Sequence, residues 1–278
     1  MTNYVKQWSS GNPGLIIITE DLSGSMLHPY VDGKNRTQFC SDAVNRLIND
    51  LISRNYDGKA PKDRCYVVVI GYGNDAKILT QGYLSELDKS PLSIENRKKK
   101  ISDGAGGLVE IDSNMPVWVE PTTKDAVTNQ MAAFLMAKEI LEKWVQDKPD
   151  SPASVVINLS DGAPYTGGKG VRECMDETIE IASQIKSIST SDGPVLIFNA
   201  MIGDGAKAVF PDSPNGLGSE EANFLYETSS EIPEAYRAAA EKNGLPYKKG
   251  ARGAIYNAAA EDIIKLVDFG SSKGLHDA

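Results

Sequence analysis

The sequence predicts an α/β fold: a three-layer sandwich with a mostly parallel central sheet, one antiparallel edge strand, and helices on both faces. Three observations carry that expectation. Short β-branched runs alternate with longer amphipathic segments along the chain, the order expected of strands feeding crossover helices. The runs are continuously apolar rather than alternating, as strands covered on both faces are. No repeat or low-complexity linker divides the 278 residues, so one domain is expected over 14–269, between an N-terminal arm (1–13) and a C-terminal tail (270–278).

Leu15 to Thr19 is the first buried strand. Thr37 to Ser53 places Phe39, Ala43, Val44, Leu47, Ile48, Leu51 and Ile52 on one helical stripe. Cys65 to Ile70 is a second strand, closed by Gly71-Tyr-Gly. Residues 79–120 are the least regular part, with short strands expected at Tyr83-Leu84, Leu108 to Ile111 and Val117 to Val119, read as an edge strand or hairpin. Asn129 to Gln146 is an amphipathic helix with Met131, Phe134, Leu135, Leu141, Trp144 and Val145 on its stripe. Ser154 to Leu159 and Val195 to Met201 are further buried strands, separated by a helix over 171–188. Helical pieces follow at Glu220 to Thr228 and Pro233 to Lys242, then a last strand at Ala254 to Tyr256 and a closing helix at Glu261 to Val267.

Composition excludes several functions. A net charge of −9 argues against a nucleic-acid partner, which normally meets a basic face. The one basic run, Arg97-Lys98-Lys99-Lys100, reads as a solvated loop or strand edge. Three scattered cysteines, Cys40, Cys65 and Cys174, form neither a disulfide framework nor a zinc spacing; Cys40 and Cys174 read as small buried apolar residues. No apolar signal core and no stretch of about 20 apolar residues is present, so no membrane is expected and a reducing cytoplasm fits best. With two histidines, of which His276 lies in a polar tail, a His-based hydrolase would depend on His28. No nucleophile elbow, P-loop or dinucleotide fingerprint occurs.

The stretch Asp21-Leu-Ser-Gly-Ser-Met follows the first strand. In an extended chain Asp21, Ser23 and Ser25 would point the same way. The same pattern also makes an ordinary strand-end turn. Ser160-Asp161-Gly162 ends the third strand and Gly203-Asp204-Gly205 the fourth. In a parallel sheet these loops share one edge, where ligands of open α/β sheets bind. Two aspartates with hydroxyls form a hard-cation donor set suited to Mg²⁺, which keeps several waters and uses one or two carboxylates. Gly24 would let the backbone turn tightly beneath the ion. Asp204 reads first as a turn residue.

D-x-S-x-S after the first strand, a threonine before a mid-chain helix, and S-D-G after a later strand resemble the von Willebrand factor A (VWA) family over about Gly14 to Phe269. The resemblance implies a Rossmann-like sandwich and a metal-ion-dependent adhesion site. In it Ser23, Ser25 and a threonine would touch the metal, and Asp21 and Asp161 would act directly or through water. Thr128 is the favoured threonine, with Thr122 and Thr123 as alternatives, because Gln130 stands where the family has an apolar residue. As an ordinary residue, Thr128 would be a helix N-cap. The loop from Leu27 to Arg36 is expected to be a partner-contacting rim, with His28 solvated upon it.

The functional expectation is a protein-interaction module rather than an enzyme. A Mg²⁺ at this site, with Mn²⁺ or Ca²⁺ as alternatives, would bind a Glu or Asp supplied by another protein. The family resemblance extends to bacterial single-domain members related to tellurite-resistance and stress modules, and implies a kinase, phosphatase or AAA-type ATPase as partner. The competing expectation is a Mg²⁺-dependent phosphohydrolase using Asp21. Such enzymes want a second carboxylate two residues on as general acid, where this chain has Ser23.

Overall fold

The computed structural model describes residues 4–31, 33–102, 108–121, 127–203, 205–259, 261–263, 265–266 and 269. The chain runs β1 (Gly14–Asp21), a 3-10 turn (Gly24–Leu27), α1 (Arg36–Arg54), β2 (Cys65–Tyr72), β3 (Ala76–Tyr83) and a short α2 (Leu84–Leu87). A pair of ten-residue strands follows, β4 (Ser93–Ser102) and β5 (Leu108–Val117), and then α3 (Gln130–Asp147). Next come β6 (Val155–Ser160), α4 (Val171–Ser187), the two-residue strands β7 (Ser189–Thr190) and β8 (Gly193–Pro194), and β9 (Leu196–Met201). The chain closes with β10 (Ala208–Val209), α5 (Glu220–Thr228), α6 (Arg237–Lys242) and β11 (Ala254–Tyr256).

Seven strands make the main sheet, in the order β10-β11-β9-β6-β1-β2-β3. The five from β11 to β2 are parallel. Both edge strands, β3 and β10, run antiparallel. The mostly parallel, Rossmann-like sheet is as expected; the second antiparallel edge is not. It arises because the two residues Ala208–Val209 turn back along β11, a segment too short to leave a periodic signal.

The central strands are apolar throughout because both faces are covered. Ile16 and Ile18 of β1 pack against Phe39, Cys40, Val44 and Leu47 of α1, while Leu15 and Ile17 pack against Phe134 and Leu141 of α3. On α3 the buried stripe is Ala133, Phe134, Ala137, Leu141 and Trp144. Leu135, expected on that stripe, is exposed, and Met131 is only half-buried. Cys40, Cys65 and Cys174 are free and buried. Trp8, in the segment before β1, is also buried, and Asp192 Oδ1 accepts from the Val5 and Lys6 amides at 2.7 and 2.9 Å.

The irregular region resolves into more strand than expected. Tyr83 ends the edge strand β3, and Leu84 opens α2 rather than continuing a strand. β4 and β5 form a separate two-stranded antiparallel ribbon outside the main sheet. The basic run lies on β4, where Arg97 pairs with Asp42 at 2.7 Å and Lys98 with Asp112 at 2.7 Å. At the base of the ribbon, buried Asn45 of α1 accepts from the Trp118 and Val119 amides and donates to the Val119 carbonyl.

Candidate metal centre

The strand order reverses between β1 and β6, which lie side by side although β2 to β5 separate them in sequence. At such a switch point the loops leaving neighbouring strands diverge and open a crevice at their carboxyl ends. Asp21 is the last residue of β1, and Ser160 is the last of β6.

Hydrogen bonds link the groups there in a string whose two ends, Ser160 and Asp161, are neighbours in the chain. Asp21 Oδ1 accepts from the Ser23 amide at 2.8 Å, and its Oδ2 accepts from Ser160 Oγ at 3.1 Å. Ser23 Oγ lies 3.0 Å from Ser25 Oγ, and Ser25 Oγ donates to Asp161 Oδ1 at 2.9 Å. Asp21, Ser23, Ser25 and Asp161 thus meet across 136 residues of sequence separation. They do not meet by strand alternation. Ser23 is extended, but Gly24 opens a 3-10 turn that folds Ser25 back over Ser23. Gly24 stays outside the left-handed region, so its expected special freedom is not used.

Thr128 comes to the same end of the sheet by a different route. Its amide donates to the Tyr165 carbonyl at 2.7 Å and its carbonyl accepts from the Tyr165 amide at 3.0 Å, which ties it to the loop that carries Asp161. The residue that caps α3 is Asn129, whose side chain accepts from the Ala132 amide. Thr128 is therefore largely buried without the capping role a threonine there would ordinarily have. Thr122, Thr123 and Asp204 lie outside the described residues.

Two residues close to this string were not singled out in the sequence. Arg36, assigned to the rim loop, is instead the first residue of α1, and its guanidinium donates to Asp161 Oδ2 at 2.7 Å. Glu20, one residue before Asp21, points to the opposite face of the sheet. Its Oε1 accepts from Ser41 Oγ of α1 at 2.9 Å. A carboxylate inside an otherwise apolar strand was the available signal for Glu20. Arg36 had none, because nothing local ties it to Asp161.

Burial dominates the electrostatics. It pushes the Asp21 carboxyl up to about 7, helped by the nearby Asp161 and opposed by the hydrogen bonds from Ser23 and Ser160. Burial likewise pushes Glu20 up to about 8, against the Ser41 hydrogen bond and with a smaller push from Asp21. A cation beside these two mutually repelling carboxyls would offset that cost.

The donor set fits a hard cation. Among the described residues no group of three or more His, Cys, Asp or Glu side chains converges, so the usual borderline-metal cage is not what these residues offer. They offer carboxylate and hydroxyl oxygens. Buried polar atoms on the elements that carry the site are also left without hydrogen-bond partners: Glu20 Oε2 on the opposite face of β1, Thr37 Oγ1 on α1 and both amide atoms of Gln130 on α3. Buried polar atoms are rarely left so, and ordered water or an ion is a usual answer.

No protein-family model matches the chain, and no curated protein matches it. Solved structures do. The vWF domain of the type V pili tip protein Mfa5 from Porphyromonas gingivalis covers 86% of this chain and 98% of its own, at 10% identity and a TM-score of 0.48. Proximal thread matrix protein 1 from the mussel byssus covers 94% of this chain at 13% identity and a TM-score of 0.49. The chain spans 48% of that protein's length. A second structure of the mussel protein, described as having a zinc-occupied MIDAS motif, gives 13% identity, a TM-score of 0.45, and coverage of 96% of this chain and 48% of that one. The neighbours are von Willebrand factor A domains. At such identities and TM-scores these likenesses carry nothing about this chain's residues, ligands or partners.

Proposed function

We propose that residues 14–269, flanked by an arm (1–13) and a tail (270–278), form a metal-dependent protein-interaction module of the VWA type. The observation that carries this is the hydrogen-bonded string of Asp21, Ser23, Ser25, Asp161 and Ser160 at the switch point of the sheet. Ser23, Ser25 and Thr128 would hold the ion through hydroxyls, and Asp21 and Asp161 through carboxylates, directly or through water. Mg²⁺ suits this set best, with Mn²⁺ and Ca²⁺ as the other hard cations that oxygen ligands accept. The bound ion would supply a positive centre that neutral hydroxyls leave largely unneutralised, able to take a carboxylate from a second protein.

Apolar side chains flank the site as a docking rim would. Leu27 and Val31 follow the serines, Tyr165 follows Asp161, and all three are exposed. A kinase, phosphatase or AAA-type ATPase in the cytoplasm, and a role near tellurite-resistance or stress modules, belong to this proposal by resemblance. Among the described residues no helix is long and apolar enough to cross a membrane.

The reading is non-catalytic. A phosphohydrolase acting through Asp21 would need a second carboxylate two residues on as general acid, where this chain has Ser23. Among the described residues the one histidine, His28, is exposed on the rim.

The test is a calorimetric Mn²⁺ and Mg²⁺ titration of the wild type and Asp21→Ala, with folding checked by circular dichroism. One ion per chain is expected, with affinity falling at least about tenfold in the variant, the usual order for a lost ligand or its supporting hydrogen bond. A wild type that takes up neither ion, or a folded variant that binds as well, would sink the reading.

A further inference from the structure

Arg36 is the unabsorbed feature of this site. Its guanidinium sits on Asp161 Oδ2, while Ser25 occupies Asp161 Oδ1, so a positive group already answers one side of the carboxylate the ion would use. The pair is largely buried, with 15% and 5% of the two side chains exposed, so solvent screens it little. The segment is held firmly. Asn35 and Gln38 form a reciprocal capping box at the start of α1, and the Arg36 amide donates to the His28 carbonyl at 3.2 Å. Arg36 is thereby fixed between the rim loop and the string.

We infer that Arg36 is the specificity-determining cation of this site, setting it to capture an anionic ligand at some cost in affinity for the metal ion itself. This rests on the metal-site reading above. A divalent ion shared by Asp21 and Asp161 is balanced by two carboxylates. Arg36 raises the charge of the loaded site by one unit, whatever the neighbouring groups carry. The extra unit repels an incoming cation and attracts an incoming carboxylate, so the same side chain acts in opposite senses on the two ligands. A merely structural residue would move both affinities the same way.

The experiment uses Mn²⁺ as metal and acetate as the carboxylate probe, with neutral acetamide as control. Wild type, Arg36→Gln and Arg36→Lys are compared, each checked for folding by thermal melting. Mn²⁺ affinity is read by electron paramagnetic resonance, and acetate affinity of the Mn²⁺-loaded protein by water-proton relaxation. In Arg36→Gln, Mn²⁺ affinity should hold or rise while acetate affinity falls at least about threefold, the effect of one screened unit charge a few ångströms away. Arg36→Lys should restore acetate binding, and acetamide should respond to neither substitution. Acetate affinity unchanged in Arg36→Gln, or Mn²⁺ and acetate affinities falling together in it, would overturn the inference while leaving the metal site standing. Equal binding of acetate and acetamide by the Mn²⁺-loaded wild type also overturns the inference. A wild type that binds no Mn²⁺ removes the metal site itself, and the inference with it.

Discussion

Single atoms decide much of the packing near the site and beneath it. Gly253 lies just before β11, and a Cβ there would sit 2.1 Å from Cδ1 of the Phe198 ring, which is fully buried on β9. The ring cannot yield without disturbing Tyr236 and Phe269, which stack around it. Gly253→Ala should therefore cost about 1–3 kcal/mol, the range for forcing an extra carbon into a filled core. Chemical denaturation would show this as a lower midpoint at unchanged slope. At the same scale, Thr19 Oγ1 and Tyr72 Oη both donate to Asn158 Oδ1, and Asn158 Nδ2 donates to Asn199 Oδ1. These contacts fill the polar layer two residues below Asp21 and Ser160. They keep the crevice floor rigid without exposing it.

Among the elements, the β4–β5 ribbon raises the sharpest question of what holds it. An isolated two-stranded ribbon is marginal in water, so it needs an anchor. Charges supply little: Arg97 is paired with Asp42 and Glu95, but the pairs are partly exposed, and Arg97→Ala should cost less than about 1 kcal/mol. Asn45 supplies more. It is buried and serves three backbone groups at Trp118 and Val119, just beyond β5. Asn45→Ala strands those groups in the core and should cost about 2–4 kcal/mol, by the penalty for unsatisfied buried amides. Thermal melts of the two variants should differ by several degrees in that order. Equal losses would place the anchor in the ion pairs. The ribbon was also the part of the fold least readable in advance. β4 is polar and exposed around Glu95, Asn96 and Lys98, so neither an apolar run nor a two-residue alternation marks it, while of β5 the sequence marks the start at Leu108 to Ile111 and the end at Val117. β1, β2, β6 and β9 announce themselves because burial on both faces demands unbroken apolar sequence.

At the scale of the whole molecule, two buried carboxyls tie stability to pH. Glu20 and Asp21 ordinarily lose their protons near 4, but in the fold they hold them to about 8 and about 7. Between those limits the native chain binds more protons than the unfolded chain, so stability falls as pH rises. Each group contributes up to about 1.4 kcal/mol per pH unit within its window. In EDTA the melting temperature should drop from pH 5 to pH 8, and Glu20→Gln should flatten part of that slope. A melting temperature that rises with pH would show both groups ionised in the fold. Excess Mg²⁺ should reverse the trend above pH 7, since an ion at Asp21 favours its ionised form.

What the sequence determined by itself is local. It set the apolar strands, the helical stripes, and the two short stretches, Asp21 to Ser25 and Ser160 to Gly162, whose side chains suit a hard cation. Those features depend on residues only a few positions apart, and periodicity and spacing report them. Tertiary structure alone decided which distant groups meet. It drew Asp161 to Ser25, set Arg36 on Asp161, gave the N-cap of α3 to Asn129 rather than Thr128, and turned Ala208–Val209 back as a second antiparallel edge. The two contacts of Asp161 follow from strand order and crossover direction, which bring together residues more than a hundred positions apart, and no local pattern encodes that.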